Sequence, residues 1–413
     1  MDTKTGVMSR RQFLLNSAIG IAGMTLVSGS KSRVLGANDR LSIGVIGTGS
    51  QGRYDMGQAM NFSDELNIEI TALCDVYKPN LETAVAAVEK KYGRRPRTFV
   101  DYLDLLALDD IDAVIIATPD FHHCRMLIDA MRAGKDVYVE KPMAMYLDQA
   151  NESLKVQKET GRIVQVGTQR RSDGRYAAGA RFIRSGALGK ISRVEAAWND
   201  CSPRWQKGDV SNTRREDVAW DLYLRGVKKR PFDPSRLREW HLYRDYTLGP
   251  VALLGSHMID VVHWYMEDPL PTSCVSHGGI YVWKDGRENE DTVYALYEYP
   301  KGFILRYCTG LGNSFGSGCY FYGTNGMFDT TTWKVTGSGG AGKDVIKTEK
   351  VITGEPGQNH MRNFLECVRS RKTPNASIFD GYAHSICAIM SNRSLRTGKR
   401  VVFNREEQRI EEA

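Results

Sequence analysis

The chain has 413 residues, which is enough for two domains. Its apolar fraction of 41% and charged fraction of 25% are typical of a soluble globular protein, and its eight scattered cysteines form no C-x-x-C pair, which argues against a disulfide framework or a zinc finger. The formal net charge is +7, but +4 of this lies in residues 1–37. Because no Lys/Arg run is interleaved with aromatic residues, we predict no nucleic-acid partner.

The N-terminus carries a pattern typical of protein export. Residues 9–14 read SRRQFL, a twin-arginine signature, and the apolar stretch over residues 14–27 is too short to span a membrane. We predict a signal peptide over residues 1–37, a periplasmic location and the twin-arginine machinery as a partner. The alternative is a chance Arg-Arg pair in an irregular N-terminus.

A glycine-rich turn follows the first apolar strand, Leu41–Ile46. Residues 47–52 read GTGSQG, the dinucleotide fingerprint G-x-G-x-x-G, and the following residues can form a helix. The first glycine permits a tight turn, the second lets a pyrophosphate approach the backbone, and the third allows close packing of helix and strand. The free N–H groups of the helix N-terminus then face the phosphates. We therefore predict cofactor contacts from Gly47, Gly49, Ser50, Gln51 and Gly52.

An acidic residue ends the second predicted strand. Asp75 follows Ile68–Cys74 and lies 23 residues after Gly52, close to the position of a ribose-binding acid. Such a carboxylate bonds the adenosine ribose hydroxyls and repels a 2′-phosphate, so we predict NAD rather than NADP. The alternative is that Asp75 only caps a turn.

Strands and helices alternate up to about residue 170, a pattern that predicts a parallel sheet with helical crossovers. Six strands are expected, which completes a doubly wound Rossmann domain over residues 38–170. Residues 191–350 instead show period-two alternation, with a hairpin around residues 300–302, and predict an antiparallel or mixed sheet. Residues 200–250, rich in Trp, Arg, Pro and Tyr, are expected to form a long excursion near the cleft.

The carboxyl edge of the predicted parallel sheet carries a lysine. Lys141 follows the fifth strand, at the edge where the nicotinamide is expected. An amine at this position can polarise a substrate hydroxyl, and it can take part in proton transfer if burial lowers its pKa. The alternative is a surface lysine before a turn proline.

Several motifs occur together in one order: the glycine turn, Thr118-Pro119-Asp120 with His123, Glu140-Lys141-Pro142, and residues 167–171, which read GTQRR. In combination they resemble the Gfo/Idh/MocA family of oxidoreductases. Residues 217–224 and 363–370 are similar to its exported, twin-arginine members in particular. The resemblance covers nearly the whole mature chain.

The resemblance implies an α+β C-terminal domain, residues 171–413, with a large open-faced, mostly antiparallel sheet that often mediates homo-oligomers, here a dimer or a tetramer. It implies NAD(P)-dependent hydride transfer between a nicotinamide and a sugar or polyol. Lys141 matches the catalytic lysine, and His257 matches a histidine that acts as acid or base. Further cofactor contacts are implied for Thr118, Pro119, His123, Glu140, Lys141 and Gln169.

The sequence departs from the family pattern near His257. Family members commonly have an acid four residues earlier, where this chain has Leu253, so His257 needs another partner. Asp260, at i+3, lies on the same helical face, although it is equally well explained as a surface or capping carboxylate. The remaining substrate candidates, each also explicable as a surface or core residue, are Arg170, Arg171 and Trp205. The histidines have no ligand spacing, and we predict no metal.

These observations favour an exported oxidoreductase with a tightly bound NAD and a carbohydrate substrate. A glycosidase or lyase of the same family, which cleaves by transient oxidation and elimination, is the second reading. A non-catalytic dinucleotide-binding protein is the third.

Overall fold

The computed structural model describes residues 39–413, and the predicted signal peptide lies outside the described residues. Residues 40–413 form one compact unit. No helix in this described part has the length and apolar character needed to cross a bilayer.

The first sheet has six parallel strands in the order β3-β2-β1-β4-β5-β6, which confirms the predicted Rossmann topology. Its strands are short and, apart from the exposed edge strand Arg97–Phe99, mostly buried, as expected for a sheet covered on both faces. They are β1 (Leu41–Ile46), β2 (Ile68–Cys74), β3 (Arg97–Phe99), β4 (Ala113–Ile116), β5 (Asp136–Val139) and β6 (Val164–Val166).

The strand register brings distant parts of the sequence to one edge. Ile46 pairs with both Cys74 and Ile116, and Val139 pairs with Ile116 and Val166. The residues that follow these strand ends therefore lie side by side along the carboxyl edge: Gly47, Asp75, Ala117, Glu140 and Gly167.

Helices cover both faces of this sheet. The helices of the first half are α1 (Ser50–Met60), α2 (Ser63–Leu66), α3 (Lys78–Tyr92), α4 (Tyr102–Leu106), α5 (Asp120–Arg132) and α6 (Leu147–Thr160). Those that follow are α7 (Gly174–Arg184), α8 (Trp220–Tyr223), α9 (Pro234–Arg238), α10 (Ser256–Met266), α11 (His360–Ser370) and α12 (Ile378–Thr397).

The second sheet has ten strands in the order β14-β13-β12-β11-β7-β10-β9-β8-β15-β16. All neighbours pair antiparallel except β7 and β10, which are parallel. This confirms the expected mostly antiparallel sheet. Its strands are β7 (Ile191–Ala197), β8 (Ser273–Gly279), β9 (Thr292–Tyr299), β10 (Phe303–Gly310), β11 (Gly318–Gly323), β12 (Gly326–Asp329), β13 (Lys334–Thr336), β14 (Lys350–Val351), β15 (Val401–Asn404) and β16 (Arg409–Glu412).

The two faces of the large sheet differ. Helix α12 covers one face, where Tyr297 donates a hydrogen bond to the Cys387 carbonyl at 3.0 Å. On the other face of the central strands, four apolar side chains are 46–52% exposed. They are Val275, Tyr294, Leu296 and Ile304. The sheet is therefore open-faced, as the family resemblance implies.

Candidate nucleotide-binding and active site

The glycine turn has no room for side chains at two of its three glycines. Gly47 has φ +85°, and a Cβ on Gly52 would lie 1.9 Å from the Gly47 carbonyl oxygen. A Cβ on Gly49 would meet only the Asn80 side chain, at 3.8 Å. The first and third glycines thus hold the turn against helix α1, and the second leaves the backbone open to the groove.

Asp75 holds the glycine turn at its place beside β2. Its Oδ2 accepts hydrogen bonds from Thr48 N at 2.7 Å and Thr48 Oγ1 at 2.9 Å, and its Oδ1 accepts one from Tyr77 N at 2.8 Å. Burial raises the pKa of Asp75, although these hydrogen bonds oppose the shift. Asp75 also lines the groove. Its position therefore fits both interpretations made from the sequence, ribose binding and the capping of a turn.

A groove of about 530 Å³ runs along the carboxyl edge of the first sheet, a size typical of small-molecule sites. A dinucleotide fits the residues present, because the groove combines the open backbone of Gly49, the N-terminus of α1, and Thr118 Oγ1, which is buried without a hydrogen-bond partner. Eight of the residues predicted from the sequence line it: Gly47, Gly49, Ser50, Gln51, Asp75, Thr118, Pro119 and Trp205.

Glu140 and Gln169 lie in a polar network behind this edge. Gln169 Nε2 donates to Glu140 Oε1 at 3.1 Å, and Gln51 Nε2 donates to Asp55 Oδ1 at 3.0 Å. Burial raises the pKa of both Asp55 and Glu140, the charge of Glu140 raises that of Asp55 further, and the charge of Lys141 opposes the shift in both. Asp55 and Gln169 line a separate crevice, whereas Gln51 lines the groove.

His123 joins the loop after β4 to the turn after β5. Its Nε2 lies 2.7 Å from the Thr118 carbonyl oxygen and its Nδ1 lies 2.8 Å from the Pro142 carbonyl oxygen. Burial lowers the pKa of His123 to about 4, so the ring is neutral at pH 7. The buried ring positions the Thr118 and Pro142 backbones, and the described wall of the groove includes the neighbouring His122 instead.

Lys141 is held by a backbone carbonyl. Its Nζ donates a hydrogen bond to the Leu253 carbonyl oxygen at 2.9 Å. Leu253 lies in a π-helix, Val251–Gly255, and also lines the groove. Such π-helical turns are rare and occur frequently at functional sites. The residue that departs from the family pattern thus orients the lysine through its main chain.

His257 lies at the start of α10, directly after the π-helix, and its ring centroid is 5.5 Å from that of Trp198. Burial lowers the pKa of His257 well below its usual value, and the charges of Lys141 and Arg170 lower it further. A neutral imidazole close to an ammonium group is able to accept a proton from a substrate hydroxyl.

Arg170 packs beside the same ring system. Its guanidinium carbon lies 4.9 Å from the Trp198 ring centroid and 5.3 Å from that of Tyr176. Its positive charge is thereby placed near His257 without an ion pair to a carboxylate in the described residues.

The structure pairs the Asp260 carboxylate with Arg171, and the side chain is buried and does not lie on the helix surface. Both Asp260 oxygens accept hydrogen bonds from Arg171 Nε at 2.9 Å, and Arg171 also pairs with Asp380 at 3.0 Å. These side chains are nearly fully buried, and burial raises the pKa of Asp260 to about 6 despite the arginine. Arg171 therefore links α10 to α12 through Asp260 and Asp380.

Beyond the nucleotide loops, the groove ends in an aromatic wall. Trp205 and Trp240 line it together with His241, whose ring centroid is 5.6 Å from that of Trp205. Burial lowers the pKa of His241 to about 4. Aromatic faces of this kind pack against the C–H faces of sugar rings.

Sequence reasoning missed several groove residues. They come from residues 204–246, where short helices with no clear periodicity gave no local signal. The composition of this region, rich in Trp, Arg and Tyr, was the one available indication. The missed residues are Arg204, Tyr223, Arg225, Leu237, Arg238, Trp240 and His241.

Comparisons with known proteins agree with this geometry. A family model described as "Oxidoreductase family, NAD-binding Rossmann fold" matches residues 41–168, and the GFO/IDH/MocA C-terminal domain matches residues 222–329. The chain is 32% identical over 246 residues to an inositol 2-dehydrogenase of Rubrobacter xylanophilus, covering 56% of this chain and 67% of that protein.

A glycosyl hydrolase family 109 protein of Shewanella sp. (strain W3-18-1) is 27% identical over 218 residues. This match covers 52% of the present chain but 44% of that protein, so the chain spans less than half the length of this relative. Among solved structures, the aldose–aldose oxidoreductase of Caulobacter crescentus superposes with a TM-score of 0.66 at 18% identity, covering 88% of this chain and 100% of that one. At this identity the likeness shows the fold.

The fold and the groove define an NAD-binding protein of the Rossmann class, joined to a domain with a large open sheet. With the matches over both halves, the chain belongs to the Gfo/Idh/MocA family of oxidoreductases.

Proposed function

We propose that the protein is an NAD-dependent oxidoreductase that acts on a hydroxyl-bearing carbon of a sugar or polyol. The observation that carries this proposal is the placement of Lys141, whose amine is anchored on the Leu253 carbonyl at the wall of the nucleotide groove. The similarity to an inositol 2-dehydrogenase supports the substrate class.

The side chains divide the reaction between them. When bound, NAD⁺ supplies the hydride acceptor at nicotinamide C4. Lys141 donates a hydrogen bond to the reacting oxygen and stabilises the negative charge that develops there. The neutral His257 ring accepts the hydroxyl proton. Because burial disfavours the charged imidazolium, His257 returns this proton to the substrate oxygen in the reverse direction. The fixed groups hold the reacting oxygen in place, and orientation of this kind is worth ~7–11 kcal/mol in well-aligned systems.

The aromatic wall supports a carbohydrate. Trp205 and Trp240 offer flat apolar faces, while Arg204 and His241 offer polar edges to hydroxyl groups. A pyranose or cyclic polyol has this same combination of a C–H face and a polar rim.

A second function is glycoside cleavage by transient oxidation, elimination and return of the hydride. Two observations favour it: the glycosyl hydrolase family 109 name of the Shewanella relatives, and Leu253 in the position where family members commonly have an acid. The same Lys141 and His257 would serve both reactions, since each begins with oxidation of a hydroxyl.

One experiment distinguishes these functions. The purified protein is denatured, the supernatant is tested for released dinucleotide, and monosaccharides, polyols and aryl glycosides are then screened with added NAD. We expect NADH to accumulate with at least one sugar or polyol. Release of the aryl group without net NADH would establish the glycosidase instead. Bound dinucleotide with neither product would leave a non-catalytic binding protein.

We also propose that residues 1–37 direct export through the twin-arginine machinery and that the open sheet face mediates a homo-oligomer. The SRRQFL motif supports the first proposal, and the half-exposed Val275, Tyr294, Leu296 and Ile304 support the second. Cell fractionation with Arg10 and Arg11 changed to lysine tests export. Sedimentation of the mature chain with and without Leu296→Lys tests assembly, and a monomeric wild type would rule it out.

A further inference from the structure

Residues 214–246, here named the roof segment, come from the second half of the chain but form part of the nucleotide groove. The opposite wall is made by the loops after β2 and β3, which carry Asp75, Tyr77, Asp101 and Tyr102. The roof segment contributes side chains that face the same groove: Leu222, Tyr223, Arg225, Leu237, Arg238 and Trp240.

The roof segment is joined to the first sheet through backbone contacts. Ala219 N donates to the Val76 carbonyl at 2.8 Å, and Val218 forms a β-bridge with Tyr77. His122 Nε2 lies 2.9 Å from the Tyr223 carbonyl oxygen. The roof is therefore attached to the turn that carries Asp75.

A hydrophobic cluster fixes the same attachment. It buries three residues of the nucleotide-binding half against aromatic and aliphatic side chains of the roof segment. Its buried members are Tyr77, Phe121, Met145, Val218, Trp220, Tyr223, Leu224, Leu237, Leu242, Tyr243 and Tyr246.

One ion pair closes the far end of the groove. Arg225 Nη1 donates to Asp101 Oδ1 at 2.8 Å, and its Nη2 donates to Asp101 Oδ2 at 2.5 Å. The guanidinium carbon lies 5.3 Å from the Tyr102 ring centroid. A bidentate pair of this kind is stronger and more directional than a single contact. It also lowers the pKa of Asp101.

The position of this pair indicates which part of a cofactor it encloses. In a Rossmann sheet the pyrophosphate lies over β1, and the adenosine half extends towards β2 and β3. Asp101 lies two residues after the end of β3, and both Asp101 and Arg225 line the groove. The pair thus bridges the groove at the adenosine end.

We propose that residues 222–225 of the roof segment form a fixed wall of the adenosine subsite and that the Arg225–Asp101 pair is its latch, so that NAD is retained between catalytic cycles as a resident cofactor. This proposal rests on the proposed function, because it needs NAD in the groove. Release of the adenosine half requires the roof to separate from the β3 loop, and the latch opposes that separation.

Asp101 offers a variant that separates latching from folding. Its Oδ1 also caps helix α4 by accepting a hydrogen bond from Leu103 N at 3.0 Å. Asparagine is an equally good N-cap, so Asp101→Asn keeps the cap and removes the charge that pairs with Arg225. Arg225→Gln removes the other partner.

The test measures cofactor release from the full chain. Protein loaded with NADH is mixed with excess NAD, and loss of bound NADH fluorescence gives the dissociation rate. We expect Asp101→Asn and Arg225→Gln each to release NADH about tenfold faster, corresponding to ~1.4 kcal/mol. The double variant should release it no faster than the single variants, because the two residues act as one unit.

Arg214→Gln is the matched control. Arg214 pairs with Asp217 inside the roof segment at 2.7 Å and should leave the release rate unchanged. Equal rates in the wild type and both latch variants, with NADH binding intact, would overturn the latch alone. Absence of NADH binding by the wild type would overturn the proposed function as well. Thermal unfolding of each variant verifies that it is folded.

Discussion

Replacement of Lys141 by methionine should reduce turnover by about 10²–10⁴-fold, the usual contribution of a positioned acid–base group. Methionine keeps the length of the side chain but removes the amine that donates to the Leu253 carbonyl and, in the proposed reaction, to the substrate oxygen. The rate is measured with a substrate identified by the screen, and NADH binding is measured in parallel. Binding should be retained, because the variant leaves the glycine turn and Asp75, which line the groove, unchanged.

Lys135 provides the control for this prediction. It precedes strand β5, whereas Lys141 follows it, and its Nζ also donates to a backbone carbonyl, that of Leu108 at 2.6 Å. Lys135→Met therefore removes a comparable hydrogen bond at the opposite end of the strand, far from the groove edge. Its turnover should equal that of the wild type. If Lys141→Met also retained turnover within a factor of about three, the catalytic role of Lys141 would be rejected.

Gly52→Ala should nearly abolish NAD binding, with the dissociation constant raised by about 100-fold or more, equivalent to ~2.7 kcal/mol. The added Cβ would lie 1.9 Å from the Gly47 carbonyl oxygen, which is backbone and has no side-chain freedom to move away. Helix α1 must then shift from the turn that presents its N–H groups to the phosphates. Overpacking of this kind also costs about 1–3 kcal/mol of stability. Isothermal titration with NAD measures the affinity.

Gly57→Ala, in the same helix, separates this effect from helix propensity. A Cβ on Gly57 would meet no atom within 4 Å. Alanine favours the helix by roughly 0.5–1 kcal/mol over glycine, so this variant should bind NAD normally and unfold at a slightly higher temperature. Equal NAD affinity in Gly52→Ala and Gly57→Ala would contradict the steric explanation.

The first sheet could be predicted because its information is local. β-Branched runs such as Ala113–Ile116 and a glycine turn directly after β1 indicate strands and a crossover without reference to distant residues. The parallel pairing of β7 with β10 carries no such signal, since the two strands are more than 100 residues apart in the sequence. Sequence alternation predicted strands within residues 191–350, including the hairpin around residues 300–302, but not the order of the sheet.

The site shows the same division. Lys141 could be placed because it follows a strand whose edge defines the groove. Arg171 was a substrate candidate because a guanidinium group suits sugar hydroxyls or a carboxylate, but its partners Asp260 and Asp380 come from distant helices and hold it in the interior. A buried carboxylate needs a cation, and this requirement becomes visible when the helices are assembled.

The anchoring of Lys141 has a consequence for how this site tolerates change. The acceptor is a main-chain carbonyl in Val251–Gly255, so replacing the Leu253 side chain leaves the hydrogen-bond acceptor of Lys141 in place. Proline is the exception, because its ring constrains the backbone. The hydrogen bond from Lys141 to Leu253 therefore depends on the π-helical backbone conformation of this segment. Deleting one residue from this stretch would remove the extra residue of the π-helical turn and so change the backbone that presents the Leu253 carbonyl to Lys141. The relative position of the Lys141 amine and the His257 imidazole therefore depends on the number of residues in Val251–Gly255 as well as on their identity.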